Sequence, residues 1–143
     1  MSCDGPEYIN DAGRGQGVTK KCLNNFNKLL ETLPERLPKN VKLLVTLKPT
    51  LDSYSISELN SKEKIIEYYQ FFENNFIIPL ANLDCENVQF ILPIPNTASP
   101  APTTQAQGIE FATLTKNCKE IEREPEKYFK YYKRIMPYSS TIC

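Results

Sequence analysis

The sequence predicts an α+β fold: three main helices packed on a small two-stranded sheet, open to completion by a partner, with an irregular N-terminal arm and a Pro-rich linker. Three observations predict it. Apolar residues recur at steps of three and four over 19–33 and 60–78, the period of a helix with one buried face. They alternate over 41–47 and 88–92, the period of a strand. Proline then closes each of these runs, at Pro34, Pro49, Pro79 and Pro93.

In chain order, residues 1–17 read as the irregular arm, because four of the five glycines lie there (Gly5, Gly13, Gly15, Gly17) with little apolar material between them. The core segment, 18–92, starts with a helix from Thr19 to Leu33, with Thr19 as N-cap and Leu23, Phe26, Leu30 and Leu33 on one face. Val41–Leu47 follows as a strand. A second helix starts at a capping box formed by Asn60 and Glu63 and carries Ile65, Tyr69, Phe72 and Phe76 as its stripe, with Pro79 ending or kinking it. Val88–Leu92 is the second strand, placed at an edge by Pro93 and Pro95. Residues 93–112, rich in Pro, Thr and Ala, are read as a solvated linker. The last segment, 113–143, is read as helical from Thr113 to Met136, with Pro125 in the first turn of a separate short helix.

Composition bounds the chemistry. The chain has 143 residues, the size of one domain, with 17 basic and 17 acidic side chains and no histidine. Without histidine, neither a Ser/His/Asp nor a Cys/His arrangement can be assembled from this chain. Carboxylate-only catalysis remains open in principle, with Asp52, Glu58, Glu63, Asp84 and Glu86 as the acids at hand. No pairing among them is legible, and the reading is a non-enzyme without catalytic, cofactor-binding or metal-binding residues. Cysteines at 3, 22, 85, 118 and 143 are odd in number and contain no C-x-x-C. They are read as reduced thiols of an intracellular, reducing compartment, with Cys22 and Cys118 as helix-packing positions and Cys3 and Cys143 at the chain ends. The start, Met1-Ser2-Cys3-Asp4, is polar and acidic, unlike a secretory signal, and no run approaches the ~20 apolar residues of a membrane span.

Two local constellations suggest binding. Arg14, Gly15, Gly17, Lys20 and Lys21 place glycines and cations before a helix start, an arrangement that suits an anion, although the spacing is not that of a P-loop. Tyr128, Phe129, Tyr131, Tyr132 and Arg134 interleave aromatics and cations in the C-terminal helix. With Val88 and Phe90 on the edge strand they form the expected protein interface. The functional expectation is a structural or adaptor subunit of a larger assembly, of viral or organellar kind, whose partners are other protein chains or further copies of itself. The alternative is a nucleic-acid-binding accessory protein that uses the Gly/Arg arm and the Tyr/Lys helix. A net charge of zero weighs against the alternative, since a phosphate backbone is normally met by a basic excess. No motif is specific enough to carry a family resemblance.

Overall fold

The longest apolar stripe in the sequence becomes the axis of the fold. The computed structural model describes residues 3–36, 38, 43–47, 49–83, 88–94, 105–132 and 135–137. Of 43–46, 88–94, 105–107 and 135–137 it describes the backbone alone. The axis begins at Ser61, whose Oγ accepts the Lys64 amide at 3.2 Å and so caps helix α4, Lys62–Phe72. A π-helical turn, Glu73–Ile77, and a last short helix, here α5 (Ile78–Ala81), continue it. Ile65, Tyr68, Tyr69, Phe72, Glu73, Phe76, Ile77 and Leu80 are all buried along this rod. Pro79, read from sequence as an end or a kink, is carried inside it. Proline has no amide to donate and crowds the carbonyl four residues back, here Asn75. The widened turn lies just where those ladder bonds must be rearranged.

The other helices bury one face each against this axis and one another. Helix α1, Glu7–Arg14, packs on α2 (Val18–Arg36) and on α3 (Ser53–Glu58), and α6, Gln105–Arg123, packs on α3 and α4. From α2 come Cys22, Phe26 and Leu33, with the Phe26 ring 4.7 Å from that of Phe76. From α6 come Leu114, Cys118 and Ile121, one turn or less apart. Helix α2 runs three residues beyond its expected end at Leu33. Pro34 falls in its final turn, where few ladder bonds remain to be lost.

The expected α+β architecture is therefore overturned. The described part is 76% helix, and an architecture of helices packed on a two-stranded sheet is not supported. The backbones of 43–46, 88–94 and 135–137 are extended, and 88–94 runs parallel to each of the other two, Leu43 beside Val88 and Leu92 beside Ile135. The physical reason lies in the length of these runs. Each is at most seven residues long, whereas the helical stripes are long enough to bury continuous apolar faces on each other.

Three further expectations are corrected. The N-terminal arm is not irregular: 7–14 is helix α1, entered through Pro6, and Ile9 and Asn10 are fully buried beneath it. The linker read at 93–112 already contains the start of α6 at Gln105, while 95–104 lies outside the described residues. The C-terminal helix read at 113–136 stops at Arg123. Glu124 precedes a proline and is pushed out of helical geometry (φ −140°, ψ 60°). Pro125 does open a separate short helix as expected, the 3-10 turn Pro125–Lys127. Among the described residues, no helix is long and apolar enough to cross a membrane.

Gly5 marks the closest approach in the fold. A Cβ there would lie 2.6 Å from Cε2 of Tyr68, whose hydroxyl donates to the Asp4 carbonyl at 2.7 Å. Gly5→Ala is expected to displace the Tyr68 ring and lower the thermal midpoint, with loss of the Tyr68 hydrogen bond visible in the chemical shifts of that ring. Phe72→Ala, which empties the centre of the axis, is expected to cost about 3–5 kcal/mol in urea denaturation.

Candidate functional site

A polar network fixes the N-terminal segment. The Asp11 carboxylate accepts the amides of Gly17 (2.8 Å) and Thr19 (2.9 Å) and the Thr19 hydroxyl (2.6 Å). Asn10, fully buried, donates its amide group to Thr19 Oγ1 and accepts the Asp4 amide, each at 2.9 Å. Asp4 in turn pairs with Arg14 at 2.7 Å and accepts the Thr50 amide at 3.0 Å. Helix α2 thus starts on an internal carboxylate rather than on Thr19, which the sequence reading made its N-cap. These three hydrogen bonds hold the Asp11 carboxyl below its ordinary range.

This arrangement bears directly on the anion-binding expectation. Of the five residues, Gly17 gives its amide to Asp11 and Arg14 gives its guanidinium to Asp4, so an incoming anion would compete with carboxylates already in place. Gly15, Lys20 and Lys21 lie exposed on the turn and on the first turns of α2.

The aromatic segment expected as an interface is partly consumed by the fold. Phe129 is 2% exposed and meets Tyr69 edge-on at 6.2 Å. Gln70 Nε2 donates to the Tyr128 carbonyl at 3.1 Å, and the buried Glu73 carboxylate accepts the Tyr131 amide at 3.0 Å. Lys62 lies 5.1 Å over the Tyr128 ring, whose hydroxyl raises the lysine pKa through a hydrogen bond. Tyr128, Tyr131 and Tyr132 are half-buried against the core. The structure therefore brings Tyr128, Phe129, Tyr131 and Tyr132 together against the α4 axis, outside the α-helix that was expected to carry them. Arg134, and the side chains of Val88 and Phe90, lie outside the described residues.

Sequence reasoning missed a different aromatic pair. Tyr8 on α1 and Tyr54 on α3 are 45% and 44% exposed, and the Tyr54 hydroxyl donates to the Tyr8 carbonyl at 3.4 Å. The carboxylates of Glu58 and Glu67 act on the Tyr8 phenol, which partial burial and then these charges hold above its ordinary pKa. The pair thus presents two rings with acidic neighbours. Helix α3 is six residues long, too short for a periodicity signal. Its one legible mark is Asp52, which accepts the Ser55 amide at 2.8 Å as an N-cap. The other feature on the surface is a groove of about 650 Å³ along α6, where Phe111 is flanked by Lys116, Lys119 and Arg123, with Glu120 among them. Among the described residues, no group of three or more Cys, Asp or Glu gathers to hold a metal ion.

Compared with protein-family models, curated proteins and solved structures, the chain matches none.

The network implies a defined acid response. Asp11 and Asp52 both have carboxyl pKa values below the ordinary 3.8, Asp11 through its three hydrogen bonds and Asp52 first through the Ser55 amide. A depressed folded-state value stabilises the fold fully above the unfolded value, and that contribution is lost as pH falls through the folded one. Urea midpoints measured from pH 6 down to pH 2 are expected to fall below about pH 4. In Asp11→Asn the fall is shallower, and the variant is less stable than wild type at pH 6.

Proposed function

We propose that this chain is a non-catalytic adaptor subunit of a larger protein assembly, and that it docks a partner of basic surface through the Tyr8–Tyr54 face. The observation that carries the reading is the exposure of two adjoining tyrosines on helices whose inner faces are firmly packed. Tyrosine gives a large, stiff and amphipathic contact surface at low entropy cost and is over-represented among the residues that dominate interface energetics. Here the pair sits on α1 and α3, held in place by the buried Asn10 and by the Asp52 cap, so little ordering is left for binding to impose. The Glu58 and Glu67 carboxylates favour lysine or arginine on the partner and disfavour acidic competitors.

A second reading, a nucleic-acid accessory role, draws support from the α6 groove, where one aromatic stands beside three cations. It no longer leans on the Gly/Arg turn, whose amide and guanidinium have carboxylate partners.

The test is size measurement by light scattering after affinity purification of the tagged chain from its native source. Wild type is expected in a complex well above the 16.4 kDa of the single chain. Tyr8→Ser/Tyr54→Ser should keep its circular dichroism and lose the same partner, with at least tenfold weaker binding in titration against it. A wild-type chain that runs alone, or a double variant that retains its partner, refutes the adaptor reading. Binding of single-stranded probes that steepens as salt falls, and is lost in Lys116→Glu/Lys119→Glu, would establish the second reading instead.

A further inference from the structure

The two ends of the N-terminal network bring a pair of thiols together. Asp4 bonds Asn10 and Asn10 bonds Thr19, which ties the chain next to Cys3 to the turn of α2 that carries Cys22. Cys3 and Cys22 interact directly, each sulfur acting on the other's thiol. Cys3 also donates to the Gly5 carbonyl at 3.5 Å and packs on the core cluster that contains Cys22. Both thiols are free, Cys3 half-buried and Cys22 buried. Arg14, paired with Asp4, lies near enough to act on both sulfurs once they are thiolates.

We propose that Cys3 and Cys22 form a dithiol modification site, which a low-molecular-weight disulfide such as oxidised glutathione converts to an internal cystine. Cys3, the more accessible sulfur, is the point of entry. Its thiolate attacks one sulfur of the glutathione disulfide, a Cys3–glutathione bond forms, and one glutathione leaves and takes up the proton that Cys3 lost. The Cys22 thiolate then attacks the Cys3 sulfur, the protein S–S bond forms, and the second glutathione leaves with the proton from Cys22. Two protein thiols are oxidised by two electrons, and one glutathione disulfide is reduced to two glutathiones. The product ties the start of the chain across α1 to α2, where at present hydrogen bonds, the Asp4–Arg14 pair and packing on the core hold it.

The environment sets the rate. Burial pushes the Cys3 thiol up to about 11, so below that value the thiolate fraction, and with it the first step, rises about tenfold per pH unit. The site is therefore slow at neutral pH and accessible to oxidant chiefly through Cys3.

The experiment incubates the full chain with a graded series of oxidised and reduced glutathione, quenches with acid, alkylates and digests with trypsin. Cleavage after Arg14, Lys21 and Lys28 puts Cys3 in peptide 1–14 and Cys22 in peptide 22–28. The expected result is one species in which these peptides are joined, carrying no glutathione, with a thermal midpoint above that of the reduced chain. Cys22→Ser should stop at a Cys3–glutathione adduct, and Cys3→Ser, changed at the more exposed position, should leave Cys22 unmodified. A wild-type chain that stops at the adduct, joins Cys3 to a different cysteine, or remains fully reduced across the series overturns the assignment.

Discussion

The arrangement depends on burying one helical rod, residues 62–81, along nearly its whole length. Tyr68, Phe72 and Phe76 follow one another at four-residue steps, with ring centroids 5.3 Å and 6.0 Å apart, and Phe26 and Phe129 reach this rod from α2 and from the C-terminal segment. A rod of this kind requires partners on several sides, and a chain of this length finds them only by wrapping its helices around it. The π turn is part of the same constraint. It lets the rod carry Pro79 without ending, so Leu80 still reaches the core.

Burying a rod with polar atoms on it obliges the surrounding chain to satisfy them. Tyr68 reaches the Asp4 carbonyl, and the Glu73 carboxylate takes the Tyr131 amide. Among the described residues, no buried side-chain nitrogen or oxygen lacks a partner. These bonds explain why segments poor in apolar residues are nonetheless fixed. The start of the chain is ordered by Asp4, Asn10 and Asp11, three polar residues, together with the single buried apolar side chain of α1, Ile9. The same network sets the Cys3–Cys22 contact and the outward placement of Tyr8, so the proposed redox site and the proposed docking face share one support.

Helical periodicity made the central features legible. The stripe of Ile65, Tyr69, Phe72 and Phe76 and the face of Phe26 and Leu33 are in the core, and Cys22 and Cys118 are buried as helix-packing positions. What misled was treating local signals as decisive. The alternation at Val41–Leu47 and Val88–Leu92 marked backbone that is extended at 43–46 and 88–94, but it did not make a two-stranded sheet the base of the fold. The glycines before residue 18 suggested looseness. Yet Asp11 caps α2 across the turn they form, a bond between residues six and eight apart that no window of hydrophobicity registers. The helix read from Thr113 to Met136 ends instead at Arg123, because Pro125 takes Glu124 out of helical geometry.

The sequence by itself determined the inventory: no histidine, balanced charge, scattered cysteines, and two apolar stripes long enough to form a helical core. Those are consequences of side-chain chemistry and period, which need no neighbour to be defined. Only the tertiary structure decided which groups meet. It placed Asp11 on the amides of Gly17 and Thr19, turned Phe129 into the core and Tyr8 and Tyr54 outward, and put Cys3 beside Cys22. Contacts between residues far apart in sequence are selected by whether the whole chain can bury its rod and satisfy its polar atoms at once. Composition carries no record of that joint condition.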